Sequence, residues 1–383
     1  MPFLTFCANN NLIHCTKHTM KVQKVNIRGQ TSWVLLADDY LPIEPVTDYL
    51  QHLMALGKAP NTIKNYAHHL KLFFEYLEAY SLDWTQCWEK ELAEFMLWLQ
   101  LPDSIPGVPS IAPQTAKRTE KTVNIMMSVI YQFYEFHTRN QRIESRELYK
   151  TSYPSKRRYK PLLYEMKKDK GVKTKRLKVK EPRTFPGCLR KEEVQTLVDN
   201  CSNLRDKFLI VLLYHSGIRI GEALGLRHSD IHSEMGLNEI HIIPRDDNLN
   251  DARVKDGEMR IISVPRQTIQ AYENYVLDDE FPDVDSDYVF INIWQGEIGS
   301  PMRYSTVQSL FGRLSKKTGI EATAHLLRHT HATELIRAGM DLVYVQERLG
   351  HASIQTTIDT YVHLLNEDQK AAYKQYLAKC EEE

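Results

Sequence analysis

No stretch of about 20 consecutive apolar residues occurs in the 383-residue chain, so the sequence offers no membrane-spanning helix. The first nineteen residues hold no apolar core and no small-residue cleavage site, and they do not read as a secretory signal. They read instead as a loose arm or as sequence ahead of a second start at Met20. Cysteine is sparse: six residues (Cys7, Cys15, Cys87, Cys188, Cys201, Cys380) without a single CxxC pair. That spacing suits a reducing cytosol better than a disulfide framework. Cys7, His14, Cys15 and His18 cluster, but their spacing fits no common zinc site. GxGxxG and GxxxxGK[ST] are both missing, so dinucleotide or ATP binding has no support and no cofactor is expected. Net charge is missing too, with 49 Lys and Arg against 49 Asp and Glu.

That neutrality is an average over segregated blocks. Residues 38–103 carry 11 acidic side chains against 4 basic ones, whereas residues 156–183 carry 13 Lys and Arg against Glu165, Asp169 and Glu181. A block like the second is either a solvated tether or a strap for phosphates. Pro154, Pro161, Pro182 and Gly171 discourage a continuous helix across it.

Residues 21–37 alternate apolar and polar around Arg28-Gly29-Gln30 and predict a β-hairpin. From Pro45 the period becomes helical. Ile63, Tyr66, Leu70, Phe73, Phe74 and Leu77 share one face, with Asn61 or Thr62 placed to cap the helix. Further helices are predicted near 88–99 and 115–138. Each carries one apolar stripe to bury, so residues 45–140 read as a helical domain. The aromatic stripe of Tyr66, Phe73 and Phe74 reads as core rather than as a base-stacking platform. Lys64, His68, His69 and Lys71 lie largely off it, on a face that is either merely solvated or turned to phosphates.

From 185 onward the two periods mix. Helices are expected at 189–200, 204–216, 266–277, 304–318 and 326–339, and short strands at 239–243, 260–264 and 288–291. A small sheet among helices, with no repeated βαβ unit, is an α+β arrangement and not a Rossmann fold.

Four segments of this half carry chemistry-bearing residues. In Gly217-Ile218-Arg219-Ile220-Gly221-Glu222, an arginine follows a glycine break and opens a helix, with Glu222 one turn on to orient it. Lys255 stands in a turn between two strands. In His325-Leu326-Leu327-Arg328, the polar pair shares one helix face. Leu349-Gly350-His351 is followed ten residues later by Tyr361. His325, His329 and His331 invite a metal reading, but Leu326 stands where HExxH needs a glutamate, and Arg328 puts a cation in the middle. No metal site is expected; His329 and His331 read as packing or capping residues.

Taken together and in this order, GxRxxE, the lysine hairpin, HxxR and LGHxSIxTTxxxY resemble the tyrosine recombinases, the phage integrase-like family. The resemblance covers residues 185–383 and, more loosely, the helical domain. It implies a mainly α chain with a small β-sheet: an extension with a hairpin (1–40), a helical SAM-like core-binding domain (41–148), a basic linker (149–184) and an α+β catalytic domain (185–383) ending in a tail helix. It further implies that Arg219 and Arg328 clamp the scissile phosphate and Tyr361 attacks it. Lys255 would protonate the leaving 5′ oxygen, with His325 and His351 assisting. The N-terminal pattern is similar to transposon-encoded recombinases of the transposase A type. The expected partner is double-stranded DNA, bound by a homotetramer on two sites, with or without other recombinase subunits. The expected location is the cytoplasm, on the nucleoid.

The residue types fit that chemistry on their own. A phosphodiester repels nucleophiles and gains charge in the transition state, and two permanently charged guanidiniums offset that without a metal. Tyrosine, with an ordinary pKa of about 10, needs a cationic pocket or a base to attack at neutral pH. The residues alone also admit a catalytically silent DNA-binding regulator, a type IB topoisomerase-like enzyme, or an RNA-binding protein with a basic strap.

Overall fold

The computed structural model describes residues 20–27, 30–101, 117–152, 172–182, 187–245, 247–250, 252, 258–279, 281–294, 296–351, 353–355 and 357–358. The chain divides into two units, residues 1–183 and 184–383. The arm at 1–19, most of the basic block, Lys255, Tyr361 and the tail at 366–381 lie outside the described residues.

In the first unit, proline opens both leading helices, α1 (Glu44–Ala55) and α2 (Pro60–Ala79). The capping role expected of Asn61 or Thr62 is not observed. Ala59 holds the cap position of α2 without a side-chain bond, and Pro60 fills the first turn. Proline at the first helical position brings one fewer orphan N–H, and its fixed φ starts the helix there, which places Asn61 and Thr62 inside the first turn rather than at the cap. The apolar stripe behaves as its spacing demands. Ile63, Ala67, Leu70 and Phe73 are fully buried and Phe74 nearly so. Phe73 stands edge-on to Phe95 of α3 (Glu89–Gln100), 5.1 Å between centroids, and to Tyr134 of α4 (Glu120–Arg139) at 6.0 Å. These rings form the core, and Phe73 and Phe74 offer no stacking platform.

The hairpin is present as β1 (Lys21–Ile27) and β2 (Gln30–Leu36), antiparallel in the register Lys21↔Leu36. Buried Leu35 joins the same core, and the hairpin packs on α1 and α2. A second hairpin, not foreseen, pairs β3 (Tyr149–Ser152) with β4 (Val172–Lys175). The chain after it lies along α4. Asn124 donates to the Val179 carbonyl and accepts from its amide, both at 2.9 Å, and the Tyr131 hydroxyl accepts from the Leu177 amide. The last stretch of the basic block is thus docked on a helix as an extra strand would be.

The second unit is built around α6 (Leu204–Ser216), whose Phe208, Leu209, Ile210, Leu212 and Leu213 are all buried. A helix apolar on every side must be surrounded. Helices α5 (Lys191–Asp199), α8 (Arg266–Val276) and α10 (Ala324–Arg337) surround it. Between α6 and α8 come α7 (Ile220–Leu224) and a three-stranded antiparallel sheet, β5 (Ile231–His232), β6 (Glu239–Ile242) and β7 (Arg260–Ser263), in that order. Helices α9 (Tyr304–Thr318) and α11 (Leu342–Leu349) are the remaining helices among the described residues of the unit. The strand expected at 288–291 is not part of the sheet. Among the described residues it makes the isolated bridges Arg227↔Tyr288 and Ile291↔Pro301. All four of its residues are buried, which explains the apolar run: among the described residues it crosses the core with single bridges on either side and no named strand paired to it.

Candidate active site

Helix α6 stops at Gly217, whose φ of +64° is left-handed. A Cβ there would run into the ring of His331 and also crowd Leu349, so glycine alone fits. The break turns the chain so that Arg219 stands, in extended backbone, as the cap of α7. Glu222 reaches back to accept from the Arg219 amide at 2.8 Å and from its guanidinium at 3.1 Å. This is half of a capping box, and it fixes the arginine at both ends. The orienting pair read from the sequence is therefore present.

Thr323 caps α10, accepting from the Leu326 amide, and one side of the helix then buries Leu327, Arg328, Ala332 and Ile336. Arg328 is 4% exposed. Its guanidinium donates to the carbonyls of Gly217 and Leu349, each at 2.8 Å.

Helix α11 starts on Asp341, which accepts from the Val343 amide, and ends at Gly350 with φ +65°. The amides of Gly350 and His351 fold back onto the carbonyls of Glu347 and Gln346. That closing motif accounts for two of the helix's orphan carbonyls. The next three in sequence go to arginines. Arg348 O accepts from Arg260 Nε at 3.2 Å, Leu349 O from Arg328 Nη2 at 2.8 Å, and Gly350 O from Arg219 Nη2 at 2.6 Å. One turn of backbone therefore gathers side chains from α7, β7 and α10.

His351 follows directly. Its Nδ1 lies 2.8 Å from the Thr357 hydroxyl, and its carbonyl accepts from Gln346. His325 is exposed on α10, with its Nε2 atom 2.8 Å from that of His329. Burial, then the neighbouring His325 and Arg328, lower the His329 pKa to about 4. His331 turns inward instead, where its Nε2 accepts from Arg348 Nε at 3.0 Å. Burial and the Arg348 charge push its pKa down to about 3, so it is neutral. Of the three histidines, one pair touches on the surface side and the third packs behind Gly217, the packing role the sequence suggested for it.

Glu222 sits at the centre of this charge, fully buried. Burial by itself raises a carboxyl pKa, but the hydrogen bonds and charge of Arg260, with those of Arg219, outweigh it and hold the group below its ordinary range. Arg260 makes a two-pronged contact with it, at 3.2 and 2.6 Å. Arg219 and Arg260 bind this glutamate, while Arg328 binds the Leu349 carbonyl and Arg348 binds His331, so four guanidiniums gather about the end of α11 and the region is strongly cationic. A site of this kind attracts a phosphate and stabilises charge building on its oxygens.

Thus Arg219, Arg328 and His351 meet at the end of α11, and His325 lies on the same helix as Arg328. Lys255 and Tyr361 fall outside the described residues. The base of the Lys255 loop is described, and it is pinned. Asn250 Nδ2 donates to the carbonyls of Leu224 (3.0 Å) and Met302 (2.9 Å), and its Oδ1 accepts from the Ala252 amide. Sequence reasoning missed Arg260, Arg348 and Asn250. Only the position of Arg260, five residues past Lys255 at the start of a strand, hinted at a role.

Comparison with known proteins agrees with this geometry. The profile of the Phage integrase family matches residues 188–368, and that of the phage integrase N-terminal SAM-like domain matches residues 46–141. The chain is 39% identical over 367 residues to transposase A from transposon Tn554 of Staphylococcus aureus, covering 94% of this chain and 99% of the relative. It is 26% identical to tyrosine recombinase XerA of Pyrococcus furiosus, over 82% and 87% of the two chains. Among solved structures, the Tn1549 transposon integrase in complex with a circular intermediate DNA superposes with a TM-score of 0.59 at 18% identity, covering 87% of this chain and 99% of that one. XerH bound to its difH substrate gives 0.56 at 22% identity, over 82% and 80%. With both halves matched in order and the arginines of its motifs gathered on one turn, the chain belongs to the phage integrase family of tyrosine recombinases, enzymes that transfer DNA strands.

Proposed function

We propose that this chain moves a transposon-like element by site-specific recombination, working as a tetramer on two duplex sites. The observation that carries the reading is the meeting of Arg219 and Arg328 on the carbonyls of Gly350 and Leu349, beside His351, which stands ten residues before Tyr361. Arg219 and Arg328 hold the non-bridging oxygens of the scissile phosphate. The Tyr361 oxygen attacks phosphorus, the P–O bond to the 5′ oxygen breaks, and the strand's 3′ phosphate stays on the tyrosine. Lys255 gives its proton to the leaving 5′ oxygen, while His325 and His351 support the proton transfers and the phosphate. A 5′ hydroxyl from the second site then attacks the phosphotyrosine and restores a phosphodiester. One ester replaces another at each step, so neither ATP nor a metal is needed for the balance. The similarity to a transposase along nearly its whole length supports the mobile-element role. In the cell the protein would work in the cytoplasm, on nucleoid DNA.

The test is a covalent-complex assay. Purified full-length protein is incubated in EDTA with supercoiled plasmid carrying the DNA that flanks its own gene, then denatured. Protein attached to a DNA 3′ end is expected, and lost in Tyr361→Phe, with DNA binding retained. An adduct that persists in the variant moves the nucleophile elsewhere. Tight binding without any adduct favours a silent regulator, and relaxation without strand exchange favours a topoisomerase. Mass measurement of the protein on two-site DNA checks the tetramer.

A further inference from the structure

We propose that Arg260 is a positioning residue for strand cleavage, acting through Glu222 on Arg219 and directly on the turn that ends α11. The inference rests on the reading of Arg219 as a phosphate clamp.

Glu222 lies between the two arginines. A carboxylate has about four acceptor positions, and here all are used. One oxygen accepts from Arg219 Nη1 and Arg260 Nη1, the other from the Arg219 amide and Arg260 Nη2. Its side chain is fully buried, while those of Arg260 and Arg219 are 14% and 23% exposed. A buried carboxylate facing a single arginine would neutralise it, and Arg219 would meet a phosphate with its charge already balanced. With Arg260 on the other side, one negative charge is shared by two positive ones, and the trio keeps a net positive charge to offer substrate.

The third arm of Arg260 adds geometry to charge. Its Nε donates to Arg348 O, two residues before the carbonyl that holds Arg219. The guanidinium also fills the space beside Gly350: a Cβ there would lie 3.0 Å from Arg260 Cζ. Arg260 therefore sets both the charge and the position of Arg219, and it opens the strand that follows the Lys255 loop. A lysine cannot replace it, because a single ammonium cannot make the fork to Glu222 and reach Arg348 O together.

The experiment measures single-turnover cleavage at saturating DNA, together with DNA affinity, for Arg260→Ala, Arg260→Lys, Glu222→Gln and the Arg260→Ala/Glu222→Gln pair. Arg260→Ala is expected to slow cleavage by about 10- to 100-fold, as loss of an outer partner of a site group does, with DNA affinity within about 2-fold of the original. Arg260→Lys should fall between. The double variant should cleave faster than Arg260→Ala alone, because removing the buried charge removes what Arg260 balances. A merely structural arginine would not give that recovery. If Arg260→Ala does not fold, Arg260→Lys and the double variant against Glu222→Gln still decide the matter. The inference is overturned by unchanged cleavage in Arg260→Ala, or by losses that simply multiply in the double variant. Arg219→Ala is the control. If wild type forms adduct and Arg219→Ala does not, an indifferent Arg260 sinks this inference alone, whereas an indifferent Arg219 sinks the clamp reading.

Discussion

Replacing Gly217 by alanine should be among the most damaging small substitutions in the second unit. Two costs combine. A left-handed φ of +64° costs an L-residue roughly 1–2 kcal/mol. The new methyl also enters space held by the His331 ring, and overpacking of that kind costs roughly 1–3 kcal/mol. The ring has no easy escape, since Arg348 holds its Nε2 on the other side. The loss should therefore reach about 2–5 kcal/mol, with cleavage slowed as well because Gly217 O anchors Arg328. Amide hydrogen exchange at α6 and α10, in the full chain under native conditions, reports the stability of this unit itself. The two costs separate in a double-mutant cycle. In a His331→Ala background the severe clash disappears and only the milder crowding at Leu349 is left, so Gly217→Ala should cost only about 1–2 kcal/mol there. Equal cost in both backgrounds would refute the steric account, and a neutral Gly217→Ala would refute the turn itself.

Acid should weaken this unit in two windows. His331 is held neutral with a pKa of about 3 against an unfolded value of about 6.5, so its contribution is complete above that value and drains as pH falls toward 3. Glu222, held below the ordinary glutamate range, contributes above that range and is lost as pH drops through its depressed value. Stability measured against pH should thus rise from acid to neutral, with the upper part of the slope shallower in His331→Gln; a profile identical to wild type would contradict the burial argument. Asn250→Ala removes the bonds that tie the Lys255 loop to Leu224 and Met302, so cleavage should slow while DNA affinity stays within about 2-fold. An unchanged cleavage rate would show that the loop is held by other means. Asn124→Ala should release the segment around Val179 from α4 and speed trypsin cleavage at Lys178 and Lys180, whereas an unaltered digestion rate would mean the docking does not depend on that amide.

Much of this was legible in the residues. The stripe Ile63, Leu70, Phe73 and Leu77 announced α2, and the break at Gly217 announced the turn before Arg219. Motif order brought out Arg219, His325, Arg328 and His351 because each is a residue type that phosphate chemistry demands. Arg260 stayed hidden for a physical reason. An arginine at the start of a strand looks like surface, and its meaning lies in three contacts with segments 38 and 88 residues away. The run at 288–291 misled because buried chain reads as strand whether or not a partner strand exists. The cap of α2 misled because Pro60, with its preset φ, starts the helix one residue ahead of Asn61 and Thr62. The β3–β4 hairpin escaped because its strands are four residues each and are separated by a long basic insertion.

The three carbonyls at the end of α11 have a consequence for how this enzyme tolerates change. A helix C-terminus carries the negative end of the peptide dipole, equivalent to roughly half an elementary charge. Here that fixed dipole serves as a counter-anion for Arg219, Arg260 and Arg328, in place of further carboxylates that would cancel their charge. Main-chain oxygens are supplied by every residue type, so no single substitution at 348 or 349 can delete them. What must be preserved is the path of the chain through Gly217 and Gly350. The mutational fragility of this arginine cluster is thereby moved from its acceptors onto two glycines and the arginines themselves.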